Sequence, residues 1–132
     1  MTKPPKAVAQ AVAAWLEHAD DNLDMARRAL RKPPRVKSAC GHAHLAVELA
    51  LKGYLVLLGV SQPRYTHDLV ALVEEAQELG KRELPVEDFR LMNRFGPPLR
   101  YPDKPAPSTE NALAAARLAE RLVGEIRALM SS

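Results

Sequence analysis

The stretch ACGHAHLAVELALKGYLVLLG, residues 39 to 59, places Ala39, Ala43, Val47, Ala50 and Tyr54 at steps of three and four, the spacing of one helix face. The helix it predicts runs from Val36 to Leu58. Ala46, Leu51 and Leu55 flank the same face, and Gly59 supplies a C-terminal stop. Small side chains at Ala39, Ala43, Ala46 and Ala50 let a neighbouring helix approach closely. Leu45, Leu49 and Val56 leave a second apolar stripe, which predicts a partner helix from a second copy of the chain.

Working outward, Val8, Val12, Trp15, Ala19, Leu23, Ala26 and Leu30 describe one face of a first helix from Ala7 to about Arg31, ended by KPPR at 32 to 35. Its other face carries Asp20, Asp21 and Asp24 before Arg27, Arg28 and Arg31, an order suited to i,i+4 pairing and to the helix dipole. A third helix follows Thr66 as N-cap, with Asp68 in its first turn, Leu69, Leu72, Val73, Ala76 and Leu79 on one face, and Gly80 closing it. Pro85 in a first turn, then Glu87, Asp88, Phe89, Met92 and Phe95, predict a short fourth helix before Gly96, Pro97 and Pro98. Ser108 caps a last helix lined by Leu113, Ala116, Val123, Ile126 and Met130.

No run alternates as a strand would. The prediction is an all-α antiparallel up-and-down bundle of four long helices and one short one, forming a single domain over residues 1–132. The chain has 132 residues, 47% hydrophobic and 27% charged, and no apolar run approaches a membrane span. The opening residues lack a secretory signal, so a soluble, cytoplasmic protein is expected. A net charge of +3 permits an acidic partner without demanding one. Cys40 is the only cysteine, which excludes an internal disulfide and suits a small buried hydrophobe.

Glycine-rich phosphate loops and nucleophile elbows are absent. His42 and His44 lie two apart, about 200° around a helix, and cannot share a metal as i,i+4 histidines do, so no metal is predicted. His44, Glu48 and Lys52 are spaced four apart along the second helix, either as a solvated charge ladder or as the wall of a polar groove. His67 at the start of the third helix is either a plain turn residue or a neutral imidazole poised to hydrogen-bond, with Asp68 favoured beside it by the helix dipole. Arg35 and His42, six residues between them, carry the minimal groups for RNA cleavage, a spacing that also arises by chance.

LRYPDKPAP, residues 99 to 107, is too proline-rich for a helix. As a rigid connection it would let Tyr101 plug the bundle and Arg100 pair with Asp103 or Glu48. As a site it would hold Arg100 over the second helix to fork onto a phosphate, with Tyr101 to stack on a base.

Together, ACGHAHLAVELALKGYLVLLG (39 to 59), THDL (66 to 69) and LRYPD (99 to 103) resemble the HEPN domain, the higher eukaryotes and prokaryotes nucleotide-binding family. Ala39, Glu48, Ala50, Lys52 and Gly59 match its second-helix signature, His67 and Asp68 its short motif, and Arg100, Tyr101, Pro102 and Asp103 its loop before the last helix. The resemblance implies a helical bundle that forms a homodimer and is encoded beside a minimal nucleotidyltransferase as a toxin–antitoxin pair, with no cofactor. Many members are metal-independent endoribonucleases whose motif is an arginine, a polar residue often asparagine, and a histidine four to six residues after the arginine. Here no histidine follows His67, and Arg90, Asn93 and Arg94 are not completed by one. Because losing a general acid or base costs about 10² to 10⁴ in rate, the first expectation is a nucleotide- or RNA-binding module, and a ribonuclease toxin is the alternative. His44, Glu48, Lys52, His67, Asp68, Arg100, Tyr101 and Asp103 are the candidate nucleotide and phosphate contacts.

Overall fold

A computed structural model describes residues 3–131; Met1, Thr2 and Ser132, included in the expected domain of 1–132, lie outside the described residues. Five α-helices form, α1 (Lys6–Ala29), α2 (Val36–Leu57), α3 (Leu69–Gly80), α4 (Val86–Asn93) and α5 (Thr109–Met130), with one 3₁₀ turn at Pro97–Arg100. Among the described residues there is no strand, and α4, eight residues long, is the short helix expected. Among them, too, no helix is long and apolar enough to cross a membrane.

The alanine stripe of α2 explains its central place. Ala39, Ala43, Ala46 and Ala50 are wholly buried, and Ala19 and Ala26 of α1 and Ala119 of α5 are wholly buried too, so the helices approach through small side chains. Val47, Leu51 and Leu55 continue the core to Leu69, Leu72 and Val73 of α3, Phe89 and Met92 of α4, and Leu122 and Ile126 of α5. Pairing across the helices is antiparallel: Asn22 meets His42 between α1 and α2, and Arg27–Glu120 and Asp20–Arg127 clamp α1 to α5 in opposite register. Among the described residues only Asp24–Arg28 realises the i,i+4 pairing expected within α1, because Arg27 and Asp20 reach α5 instead. These pairs are exposed and each contributes less than about 1 kcal/mol.

The helix ends refine the expected boundaries. Gly59 takes φ +106°, with Val60 N–H donating to Leu55 and Gly59 N–H to Val56, a Schellman stop. Asp68, not Thr66, caps α3, accepting from Val70 N–H at 3.0 Å, while Thr66 Oγ1 accepts from Asp68 N–H at 3.1 Å. Gly80 is the last residue of α3, and the left-handed position falls on Lys81 at φ 55°. Ser108 caps α5 through Asn111 N–H, as expected. Pro97–Arg100 makes one 3₁₀ turn, so the expected proline-rich loop starts only after Arg100. Of the second apolar stripe, Val56 is buried within the chain, and Leu45 and Leu49 are half-buried.

Candidate functional site

The polar stripe of α2 is not solvated. His44, Glu48 and Lys52 are 2%, 3% and 7% exposed, which overturns the charge ladder in favour of an interior network. The cover comes from two segments. After Gly59 the 58–68 connection returns alongside α2 and brings His67 to Glu48, while the end of α4 and the following turn bring Asn93 and Gly96 to His44.

Glu48 holds two partners at once. Its Oε2 accepts from Lys52 Nζ at 3.0 Å, and its Oε1 lies 2.8 Å from His67 Nδ1. A buried carboxylate needs such partners, since an unpaired charge in the interior is costly. With Nδ1 engaged, the Nε2 side of His67 is left without a partner among the described residues, on a side chain 40% exposed. Carboxylate-oriented histidines of this kind have one ring nitrogen assigned and the other free to bind or to move a proton.

Asn93, the last residue of α4, joins the elements. Its Oδ1 accepts from Leu69 N–H at 3.0 Å, and its Nδ2 donates to Asp68 Oδ1 at 2.9 Å. These partners orient the amide, so the 3.4 Å contact between Asn93 Oδ1 and His44 Nε2 requires His44 to donate. Burial pushes the His44 pKa below its ordinary 6.5, with the charges of His67 and Arg100 acting in the same sense and the Asn93 bond and Glu48 opposing. His44 is therefore a neutral imidazole protonated on Nε2. Gly96 makes room for it: a β-carbon there would come within 2.7 Å of His44 Cδ2 and Nε2.

A cleft of about 210 Å³ opens at this point, lined by His67, Asp68, Asn93, Pro97 and Pro98. Arg100 ends the 3₁₀ turn, exposed and without an ion pair among the described residues, near enough for its charge to act on His44. It pairs with neither Asp103 nor Glu48. Tyr101 is 62% exposed and plugs nothing; its carbonyl and that of Lys104 are held by Lys37 Nζ. Asp103 is exposed and makes no ion pair among the described residues, so it is not brought into the cluster. His42 faces α1, its Nδ1 bound to Asn22 at 2.8 Å, which separates it from this cleft. No three His, Cys, Asp or Glu side chains converge as a metal site among the described residues.

The structure thus unites His44, Glu48, Lys52, His67 and Asp68, sets Arg100 beside them, and leaves Tyr101 and Asp103 outside. Sequence reasoning names Asn93 only as part of an incomplete motif and Gly96 only as a helix stop, and assigns neither to the site. Asn93 stands out only beside two arginines, and NRFGPP, residues 93 to 98, reads as an ordinary helix end.

Comparison with known proteins agrees with this architecture. The family model described as the HEPN domain matches residues 12–129. A crystal structure of TT1696 from Thermus thermophilus superposes with a TM-score of 0.78 at 28% identity, covering 89% of this chain and 97% of that one. No curated protein matches the chain.

Proposed function

Because the chain belongs to the HEPN domain family, we propose that it is a single-domain, cytoplasmic nucleotide- or RNA-binding module that acts as a homodimer beside a minimal nucleotidyltransferase, in a toxin–antitoxin pair. The observation that carries the binding role is Glu48, buried and bridging Lys52 to His67, whose half-exposed ring lines an open cleft. Apolar residues of similar volume usually stabilise a fold as well as a buried ion pair does. A pair kept behind a cleft-lining histidine therefore supports a role in recognition. Arg100 at the rim offers a forked, permanently charged donor suited to a phosphate.

The test is fluorescence anisotropy of a labelled oligoribonucleotide in EDTA, with the RNA recovered and sized afterwards. Binding that Arg100→Ala weakens about tenfold, with the RNA intact, supports the module; an arginine–phosphate contact is worth that much. Absence of binding at any protein concentration overturns it. Co-purification with a co-expressed nucleotidyltransferase and sedimentation as a dimer test the partners.

One observation favours the alternative, a metal-independent endoribonuclease. His67 has Nδ1 held by a carboxylate and a half-exposed ring beside Arg100's turn, the parts needed to move a proton near a charged phosphate. Cleavage in EDTA that is lost in His67→Ala and Arg100→Ala would select this reading.

A further inference from the structure

We propose that Tyr65 is the stacking platform for a nucleobase of the bound nucleotide or RNA, an inference that rests on the nucleic-acid-binding reading above and adds its base subsite. Tyr65 is 98% exposed, whereas Tyr54 and Phe89 are buried and Trp15 and Phe95 are half-buried. A ring left so fully in water contributes nothing to the core and keeps a face free for a ligand.

Its surroundings define the ligand's chemistry. Tyr65 stands two residues before His67, whose Nδ1 is tied to the buried Glu48, so this part of the 58–68 connection is anchored. The two rings lie 6.2 Å apart between centroids and are tilted by 57°, so they do not stack on each other. Lys52 Nζ lies 6.0 Å from the Tyr65 ring centre. That ammonium is already paired with Glu48, so the half-exposed imidazole of His67 is the polar group beside the ring; an aromatic face next to it suits a base joined to a phosphate, and stacking on it tolerates any base.

Charge also sets the direction of the chain. Glu74, Glu75 and Glu78 of α3 line a neighbouring acidic hollow with Arg64 and with Asp68, which the two hollows share. Phosphates are repelled from that side. They are drawn past His67 toward Arg100, while the base rests on Tyr65.

The experiment compares an oligoribonucleotide with an abasic oligomer of the same length and phosphate count, binding to wild type, Tyr65→Ala, Tyr65→Phe and Arg100→Ala. Tyr65→Ala is expected to weaken the base-bearing oligomer about tenfold, to leave the abasic one unchanged, and to keep the wild-type melting temperature, while Tyr65→Phe binds as wild type. Arg100→Ala weakens both oligomers. Equal effects of Tyr65→Ala on the two oligomers, or none on either, overturn the platform while the nucleic-acid reading stands. Loss of nucleotidyltransferase binding in Tyr65→Ala with RNA affinity unchanged also overturns it and assigns the ring to a protein interface. A wild-type chain that binds neither oligomer overturns the nucleic-acid reading and this inference together.

Discussion

Gly96 packs directly on the imidazole of His44, closely enough that any side chain at 96 would overlap the ring. His44 cannot yield easily, because it is buried and held through Nε2 by Asn93. Gly96→Ala is therefore expected to destabilise the fold by about 2 kcal/mol, in the range for overpacking a core, and to shift the His44 ring resonances. Chemical denaturation and NMR of the ring nitrogens check both effects. Unchanged stability would mean that the turn after α4 moves aside at no cost.

The same histidine makes stability depend on pH. Burial lowers its folded pKa below the ordinary 6.5, so the unfolded chain binds a proton more readily than the folded one does. Its contribution is complete above about 6.5, the unfolded value, and is lost as pH falls below that toward the folded pKa. His44→Gln should lessen the decline in urea midpoint between neutral and mildly acidic pH. Parallel declines in both proteins would remove His44 as a source.

Lys52 and Glu48 are expected to act as a unit. Lys52→Met leaves a buried carboxylate short of one partner and should cost about 3 kcal/mol, the scale for breaking a buried pair from one side. Glu48→Leu with Lys52→Met should cost far less, since no interior charge remains and His67 can turn to water. A double-mutant cycle in urea measures the coupling; simple additivity would contradict the bridge.

Two left-handed positions predict changes of opposite sign. Gly59, at φ +106°, has open space around a β-carbon, so Gly59→Ala costs only the backbone strain, about 1 kcal/mol. Lys81, at φ 55°, carries that strain already, and Lys81→Gly should stabilise by up to about 1 kcal/mol. Thermal melts of the two variants should move in opposite directions from wild type.

Cys40 should be chemically silent in the folded state. It is wholly buried, and burial pushes its thiol pKa up to about 11, so little thiolate exists near neutral pH. A thiol reagent such as Ellman's should label it only on denaturation. Rapid labelling of the native protein would reveal local opening of α2.

The helices, their caps at Ser108 and their stop at Gly59 are legible in the sequence because each rests on hydrogen bonds and side-chain spacing within a few residues of the chain. The family signature likewise points to Glu48, Lys52, His67 and Asp68, and the four-residue spacing adds His44. Whether His44, Glu48 and Lys52 face water is not legible, since i,i+4 spacing is the same on a wet and a dry helix face. Arg100 lies near α2 as its loop suggests, but Tyr101 and Asp103 beside it are not drawn in, because Lys37 holds that loop by its carbonyls.

Amino-acid order alone determined the all-helical bundle, the alanine face of α2 and the glycine at its end, through local geometry and hydrophobic periodicity. Tertiary packing decided the site. It folded the 58–68 connection back so that His67 meets Glu48, and it set Asn93 between His44, Asp68 and Leu69, partners 25 residues or more apart from it except Leu69 at 24. No local rule specifies such contacts; they follow from burying the apolar faces of α3 and α4 against α2, which leaves the polar stripe to be satisfied by whatever the chain lays over it.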